Sequence, residues 1–252
     1  MIGLKAITYT SIFIFLSFLP QASIAQKDVT HQQLIWYGYF LTLPIDDNWS
    51  VVAEVKERHF VHPFAQHQLS LRTHIHRKLG ANGWEASAGF ATFYQSPNNP
   101  KSELDLVEPE LRPHMEMAYR QTLKKLTLDH RYRAEARYFH KLNLEETKLA
   151  QGYFFGSFRF RYRIMASYPI WKINENQILK VIAGDELMVQ AGQRVRYVFD
   201  QNRLILGLGL AISPELNLEL AYQKWINQRQ TGGYYNRDVL RLTVNHKVFL
   251  RN

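Results

Sequence analysis

Cysteine is absent from the 252 residues. The chain therefore forms no disulfides, carries no cysteine-linked lipid and builds no thiolate metal site. Beyond the first twenty residues no segment is a long uninterrupted apolar run, which excludes a bundle of membrane-spanning helices. The glycines at Gly207 and Gly209 lack the spacing and strand-to-helix setting of a phosphate-cradling loop, so no nucleotide cofactor is expected. They read instead as small residues that relieve crowding inside a curved sheet. Acid is scarcer than base, with 22 Asp and Glu against 31 Lys and Arg. Such a surplus would ordinarily suggest nucleic acid.

The N-terminus points elsewhere. Met1-Ile2-Gly3-Leu4-Lys5 carries one positive charge, and an apolar stretch runs from about Ala6 to Leu19. Pro20 follows, with small residues at Ser23 and Ala25 ahead of Gln26. Charged, apolar and small-residue regions in that order make a secretory signal peptide, too short to span a bilayer as an anchor. Residues 1–25 are thus expected to be removed after Ala25, leaving a mature domain over 26–252. An exported chain is a poor candidate for nucleic-acid binding.

The chain is organised around two stretches of strict alternation. In Asp129-His130-Arg131-Tyr132-Arg133-Ala134-Glu135-Ala136-Arg137-Tyr138 every odd position is charged, and every even one is aromatic or small. The pattern returns in Phe158-Arg159-Phe160-Arg161-Tyr162-Arg163-Ile164. A period of two is that of a β-strand, with an arginine face and an apolar face. Similar segments, separated by turn chemistry such as Pro44-Ile45-Asp46-Asp47-Asn48 and Ser213-Pro214-Glu215, fill most of the remainder. Ser96 to Arg112, Lys141 to Gln151, Ala191 to Asp200 and Gln228 to Asn236 read as longer connections. Long connections alternating with short turns are the asymmetry of an outer-membrane barrel. The expected fold is all-β: a single transmembrane antiparallel β-barrel of ten to twelve strands with a polar, arginine-rich lumen. About eleven strands can be counted, although bacterial barrels normally have an even number.

These arginine runs, together with Asp185-Glu186 and Asp200-Gln201-Asn202-Arg203-Leu204 leading to Gly207-Leu208-Gly209, resemble one bacterial family. It is the outer-membrane β-barrel family called domain of unknown function 2490, and the resemblance runs from about Leu34 to Phe249. It implies the fold and the compartment, and supplies no activity.

Polar residues toward the lumen and apolar residues toward lipid would gather Arg131, Arg133, Arg137, Arg159, Arg161, Arg163, Arg203 and Arg241 inside. Glu54, Glu116, Asp129, Glu135, Glu186 and Glu219 would face them. Two readings stay open. Cross-strand ion pairs could fill the interior of a closed structural or adhesive barrel. Alternatively, surplus arginines could line a narrow channel favouring small anionic solutes, since the guanidinium fork binds carboxylate or phosphate. A third reading, a hydrolase acting on outer-membrane lipid, has Ser70, Ser87, Ser157 and Ser167 as candidates by residue type, with no nucleophile–base motif to single one out. His74, His76 and His114 share polar faces but read as solvated donors rather than metal ligands. No catalytic residue, cofactor or metal is assigned. The expected surroundings are outer-membrane lipid and lipopolysaccharide.

Overall fold

The computed structural model describes residues 28–249; the signal peptide expected over residues 1–25 lies outside them. Eleven strands follow one another: β1 (Val29–Pro44), β2 (Trp49–Phe60), β3 (Ala65–Lys78), β4 (Trp84–Gln95), β5 (Glu108–Leu123), β6 (Leu126–Leu142), β7 (Leu149–Lys172), β8 (Ile178–Ala191), β9 (Phe199–Ala211), β10 (Leu216–Gln228) and β11 (Tyr234–Lys247). Each pairs with its sequence neighbours, and β1 pairs with β11 to close the barrel. The shortest has 12 residues, more than the roughly 9–11 that a tilted strand needs to cross a bilayer.

Strands of a meander alternate in direction, so an odd number leaves the first and last running the same way. The closing pair is accordingly parallel, in register from Val29↔Tyr234 to Thr42↔Lys247, while every other pair is antiparallel. The odd count noted in the sequence holds for the described residues, and all eleven of their strands belong to the wall. Parallel pairing is slightly weaker per residue. Here the seam is backed from the lumen by a buried apolar cluster of Leu34 and Trp36 from β1, Phe60 from β2, Trp225 from β10 and Val239 from β11. The Trp36 and Trp225 rings meet edge-on at 5.4 Å.

The two ends differ. One carries the tight connections 45–48, 79–83, 124–125, 173–177 and 212–215; the other carries 61–64, 96–107, 143–148, 192–198 and 229–233. We call them the turn end and the loop end. Three turn-end connections are stapled in the same manner. The Asp46 carboxylate accepts from the N–H groups of Asn48 and Trp49 at 2.7 Å, Asn174 does so for Asn176 and Gln177, and the Ser213 hydroxyl for Glu215 and Leu216. These short polar side chains mimic backbone in turns.

Several connections are shorter than their composition suggests. β5 already begins at Glu108, β9 at Phe199 and β11 at Tyr234, so Glu110, Arg112, Asp200 and Arg237 are strand residues. Pro109 and Pro113 disguised the start of β5. Pro113 has no N–H to donate, and the β5–β6 ladder skips Arg112 and Pro113 before resuming at His114↔Glu135. Lys141 to Gln151 comprises the end of β6, a turn over 143–148 and the start of β7.

The packing inverts that of a water-soluble protein. Leu204, Leu206, Leu208, Leu220, Leu240 and Leu242 lie exposed on the outside, whereas Arg133, Glu135, Arg203 and Arg237 are buried within. Aromatic rings on the outer face gather toward both ends. Trp84, Tyr119, His130 and Tyr162 form a stacked row on one side; Tyr138, Phe155 and Phe158 cluster toward the other. Such belts suit the boundary between hydrocarbon and headgroups. Inside, a Cβ at Gly207 would stand 2.4 Å from the Leu220 carbonyl oxygen, so only glycine fits where β9 and β10 approach; at Gly209 the nearest atom would be 3.8 Å away.

An arginine at mid-bilayer on the lipid face of a barrel costs about 2–4 kcal/mol. Leu208→Arg and Leu220→Arg are expected to reduce the heat-modifiable, folded form on a gel, while Thr243→Ser on the inner face leaves it intact. Equal tolerance at both kinds of position would show that the faces are inverted.

Candidate functional site: the ion-paired lumen

The inner faces of β5 to β8 meet in a closed ring of alternating charge. The Glu135 carboxylate lies 2.8 Å from Arg161, which reaches Glu186 at 2.8 Å. Glu186 holds Arg131 at 2.5 Å, and Arg131 lies 3.6 Å from Glu116. Glu116 holds Arg133 at 2.6 Å, and Arg133 returns to Glu135 at 3.7 Å. Three carboxylates and three guanidiniums thus neutralise one another in a space from which bulk water is largely excluded. Charges buried in this way persist only when paired and hydrogen-bonded.

Chords run from the ring across the lumen. Arg72 on β3 lies 3.8 Å from Glu135 and 3.0 Å from Glu54 on β2, and Glu54 also holds Lys56 at 2.6 Å. Arg203 on β9 reaches Glu186 at 3.3 Å and lies over the rings of Trp36 and Trp225. Glu135, 1% exposed, is approached within 4.0 Å by five guanidiniums: Arg72, Arg112, Arg133, Arg159 and Arg161. The result is a septum. On its loop-end side lies a cavity of about 500 Å³, lined in part by Arg58, Arg112, Arg203 and Arg237. On its turn-end side lies another of about 1170 Å³, lined in part by Glu116, Arg131, Arg163 and Lys180.

Most of the residues picked from sequence meet here. Arg131, Arg133, Arg161, Arg203, Glu54, Glu116, Glu135 and Glu186 form the septum. Arg137 joins its loop-end side through Glu110 at 2.6 Å, and Arg159 through Asp200 at 2.8 Å. Arg241 and Glu219 make a separate pair at 3.1 Å. Asp129 lies at the turn-end rim, bound to Arg120 at 2.6 Å. Arg163 has no carboxylate within 4 Å among the described residues and lines the turn-end cavity. Glu110 and Arg112, joined through two bonds of 2.6 and 2.7 Å, and Arg237 were missed. The alternation Glu110, Arg112, His114, Glu116 was the available signal.

His74, His76 and His114 do come together. His74 lies 3.1 Å from Glu54 and 3.2 Å from the His76 ring nitrogen, and its ring centroid is 5.5 Å from that of His114. No group of three His, Asp or Glu among the described residues is arranged to hold a metal ion. Ser70 lines the loop-end cavity and Ser167 the turn-end one, while Ser87 and Ser157 are buried in the wall. The histidine nearest to any of these serines along the ladder is His76, opposite Ser87, and the Ser87 hydroxyl has no hydrogen-bond partner among the described residues.

The family described as protein of unknown function, DUF2490, matches residues 33–236. The chain belongs to that family. No curated protein matches it. Among solved structures, LpxR from Salmonella typhimurium is similar to this DUF2490 member with a TM-score of 0.42 and 10% identity, over 79% of this chain and 83% of that one. The outer-membrane expressed OmpT of Vibrio cholerae is similar with a TM-score of 0.35 and 11% identity, over 77% of this chain and 61% of that one.

Removing one partner from a buried ion-pair network leaves the others uncompensated, at a cost of about 3–5 kcal/mol. Glu186→Gln removes the carboxylate that Arg131, Arg161 and Arg203 share, and is expected to lower the unfolding free energy of the detergent-folded barrel, read from denaturant titration, by that measure. Adding Arg161→Gln should cost less than the sum of the two single changes. Strict additivity would mean that the two side chains do not interact.

Proposed function

We propose that this chain is an outer-membrane β-barrel, exported by its N-terminal signal, whose lumen is closed by ion pairs. It is a closed barrel rather than a standing anion channel. One observation carries this reading: of the eight arginines that would have lined an anion path, all but Arg163 (Arg131, Arg133, Arg137, Arg159, Arg161, Arg203 and Arg241) are within 4.0 Å of a carboxylate. A channel needs charges free to exchange with passing ions. Here conduction would require the septum to part.

The exposed leucine band and the aromatic belts support residence in a bilayer. The loop end suits the outer surface, because its connections are the longer ones. They also bring Lys101, Arg194 and Arg196 to that rim, where the phosphates of lipopolysaccharide would meet them.

Purified protein in planar bilayers is expected to be electrically silent at voltages that leave the barrel folded. Glu135→Ala, Arg161→Ala and Glu186→Ala combined should open a path and give steady current, with heat-modifiable gel mobility reporting that the variant has folded. Steady wild-type current with a reversal potential on the anion side would restore the channel and remove the septum as a barrier.

A further inference from the structure

The septum forms the floor of the loop-end cavity, and that cavity is not electrically balanced. Of the carboxylates in its lining, Glu110 is engaged by Arg112 and Arg137 and Asp200 by Arg159, while Glu108 is exposed and has no cation within 4 Å among the described residues. Two guanidiniums in its wall have no carboxylate within 4 Å among the described residues. Arg58, 7% exposed, donates to the neutral Gln68 amide, and its Nε has no hydrogen-bond partner among the described residues. Its strongest charged neighbours are all cations: Arg203, Arg112, Arg161 and Arg72. Arg237, 1% exposed, donates to Gln32 at 2.7 Å, Asn98 at 2.8 Å and Asn227 at 3.4 Å, all neutral amides. A guanidinium has five N–H donors, so these three bonds leave capacity.

Both lie around one ring. Arg58, Arg203 and Arg237 place their guanidinium carbons 5.9, 4.9 and 4.3 Å from the centre of Trp225. Stacking on an indole holds a guanidinium plane in place while its N–H edge remains free to bind a planar or tetrahedral anion. Two buried, uncompensated cations are costly unless a counter-charge joins them, and the charge that balances both is a dianion. The rest of the lining is rich in amides, including Gln68, Gln95, Gln201 and Asn227. Amides offer donors and acceptors to hydroxyl groups. A volume of about 500 Å³ falls in the range of small-molecule sites.

We infer that the loop-end cavity binds a sugar-sized polyol bearing a doubly charged anion, a sugar phosphate in chemical class, with Arg58 and Arg237 holding the phosphate. This deepens the closed-barrel reading and rests on it, because the septum supplies the floor. Asn98 belongs to the connection 96–107 and is tied to the seam by Arg237 and by Gln32, which donates to its carbonyl at 2.7 Å. A phosphate on Arg237 therefore arrives beside the connection that borders the mouth.

The test is a titration of tryptophan emission in the detergent-folded full chain at low salt, using glucose 6-phosphate, with glucose as the uncharged control. Lipopolysaccharide in the same detergent forms a third arm, which separates a soluble source of the phosphate from a lipid one. Saturable binding of either phosphorylated probe, and none of glucose, is expected. Arg58→Gln and Arg237→Gln should each weaken binding about tenfold, the loss of one charge-assisted pair. Arg163→Gln, beyond the septum, should leave it within about twofold. Should a glutamine variant fail to fold, Arg58→Lys and Arg237→Lys keep the charge without the fork and should weaken binding by a smaller factor. No binding of either phosphorylated probe, or binding that ignores Arg58 and Arg237, would overturn the site. A wild type that conducts yet binds through these two arginines would remove the septum and keep the site.

Discussion

A charge inside a barrel that faces lipid has no exit: the wall is apolar outside, so each ionised group in the lumen must find a counter-charge, an amide or water. The architecture of this protein answers that requirement. Glu135, enclosed by five guanidiniums, is its most demanding point. Because its partners come from β3, β5, β6 and β7, the carboxylate ties the β5–β6–β7 ladder to β3, which pairs with none of them through its backbone. The ladder hydrogen bonds make the wall; the ion pairs cross-link its inner face from strand to strand. Well-packed apolar residues often stabilise as much as buried ion pairs do. The charges are therefore better understood as setting what the lumen does than as adding stability.

The odd strand number has consequences beyond the seam. It places the two ends of the described chain at opposite mouths, and it requires a parallel closure that no local turn can enforce. The connection between β1 and β11 is the whole barrel. The buried cluster of Leu34, Trp36, Phe60, Trp225 and Val239 lies behind this pair and is one of only two apolar clusters among the buried residues described. The same Trp225 that backs the seam is the surface on which Arg58, Arg203 and Arg237 are arranged. Closure of the barrel and formation of the loop-end cavity thus share one residue, and a change there would disturb both.

Much of this was legible in the chain. The alternation from Asp129 to Tyr138 and from Phe158 to Ile164 identified β6 and β7 and the facing of their arginines, because a period of two survives wherever one face must be polar. Leu204 to Leu210 told the outside from the inside of β9 for the same reason. Proline hid the start of β5, so Arg112 fell into an apparent loop, and a Gly232-Gly233 turn hid that of β11, leaving Arg237 just ahead of the expected strand. The pairing itself could not be read. Arg72 on β3 and Glu135 on β6 have two strands between them, and their contact depends on the curvature of the wall, which no spacing in the chain records.

The absence of cysteine makes the central claim, that the lumen is closed, open to direct measurement. Single cysteines placed at Thr231 by the loop-end cavity and at Ser167 in the turn-end cavity would each be the only thiol in the protein. With the barrel in sealed vesicles, a small charged thiol reagent that does not cross the bilayer is added outside. A closed lumen predicts complementary labelling: the fraction of Thr231→Cys that reacts equals the fraction facing outward, Ser167→Cys reacts to the remaining extent, and both go to completion only in detergent. Complete labelling of both positions without detergent would show that the reagent passes through the barrel, and would contradict the septum.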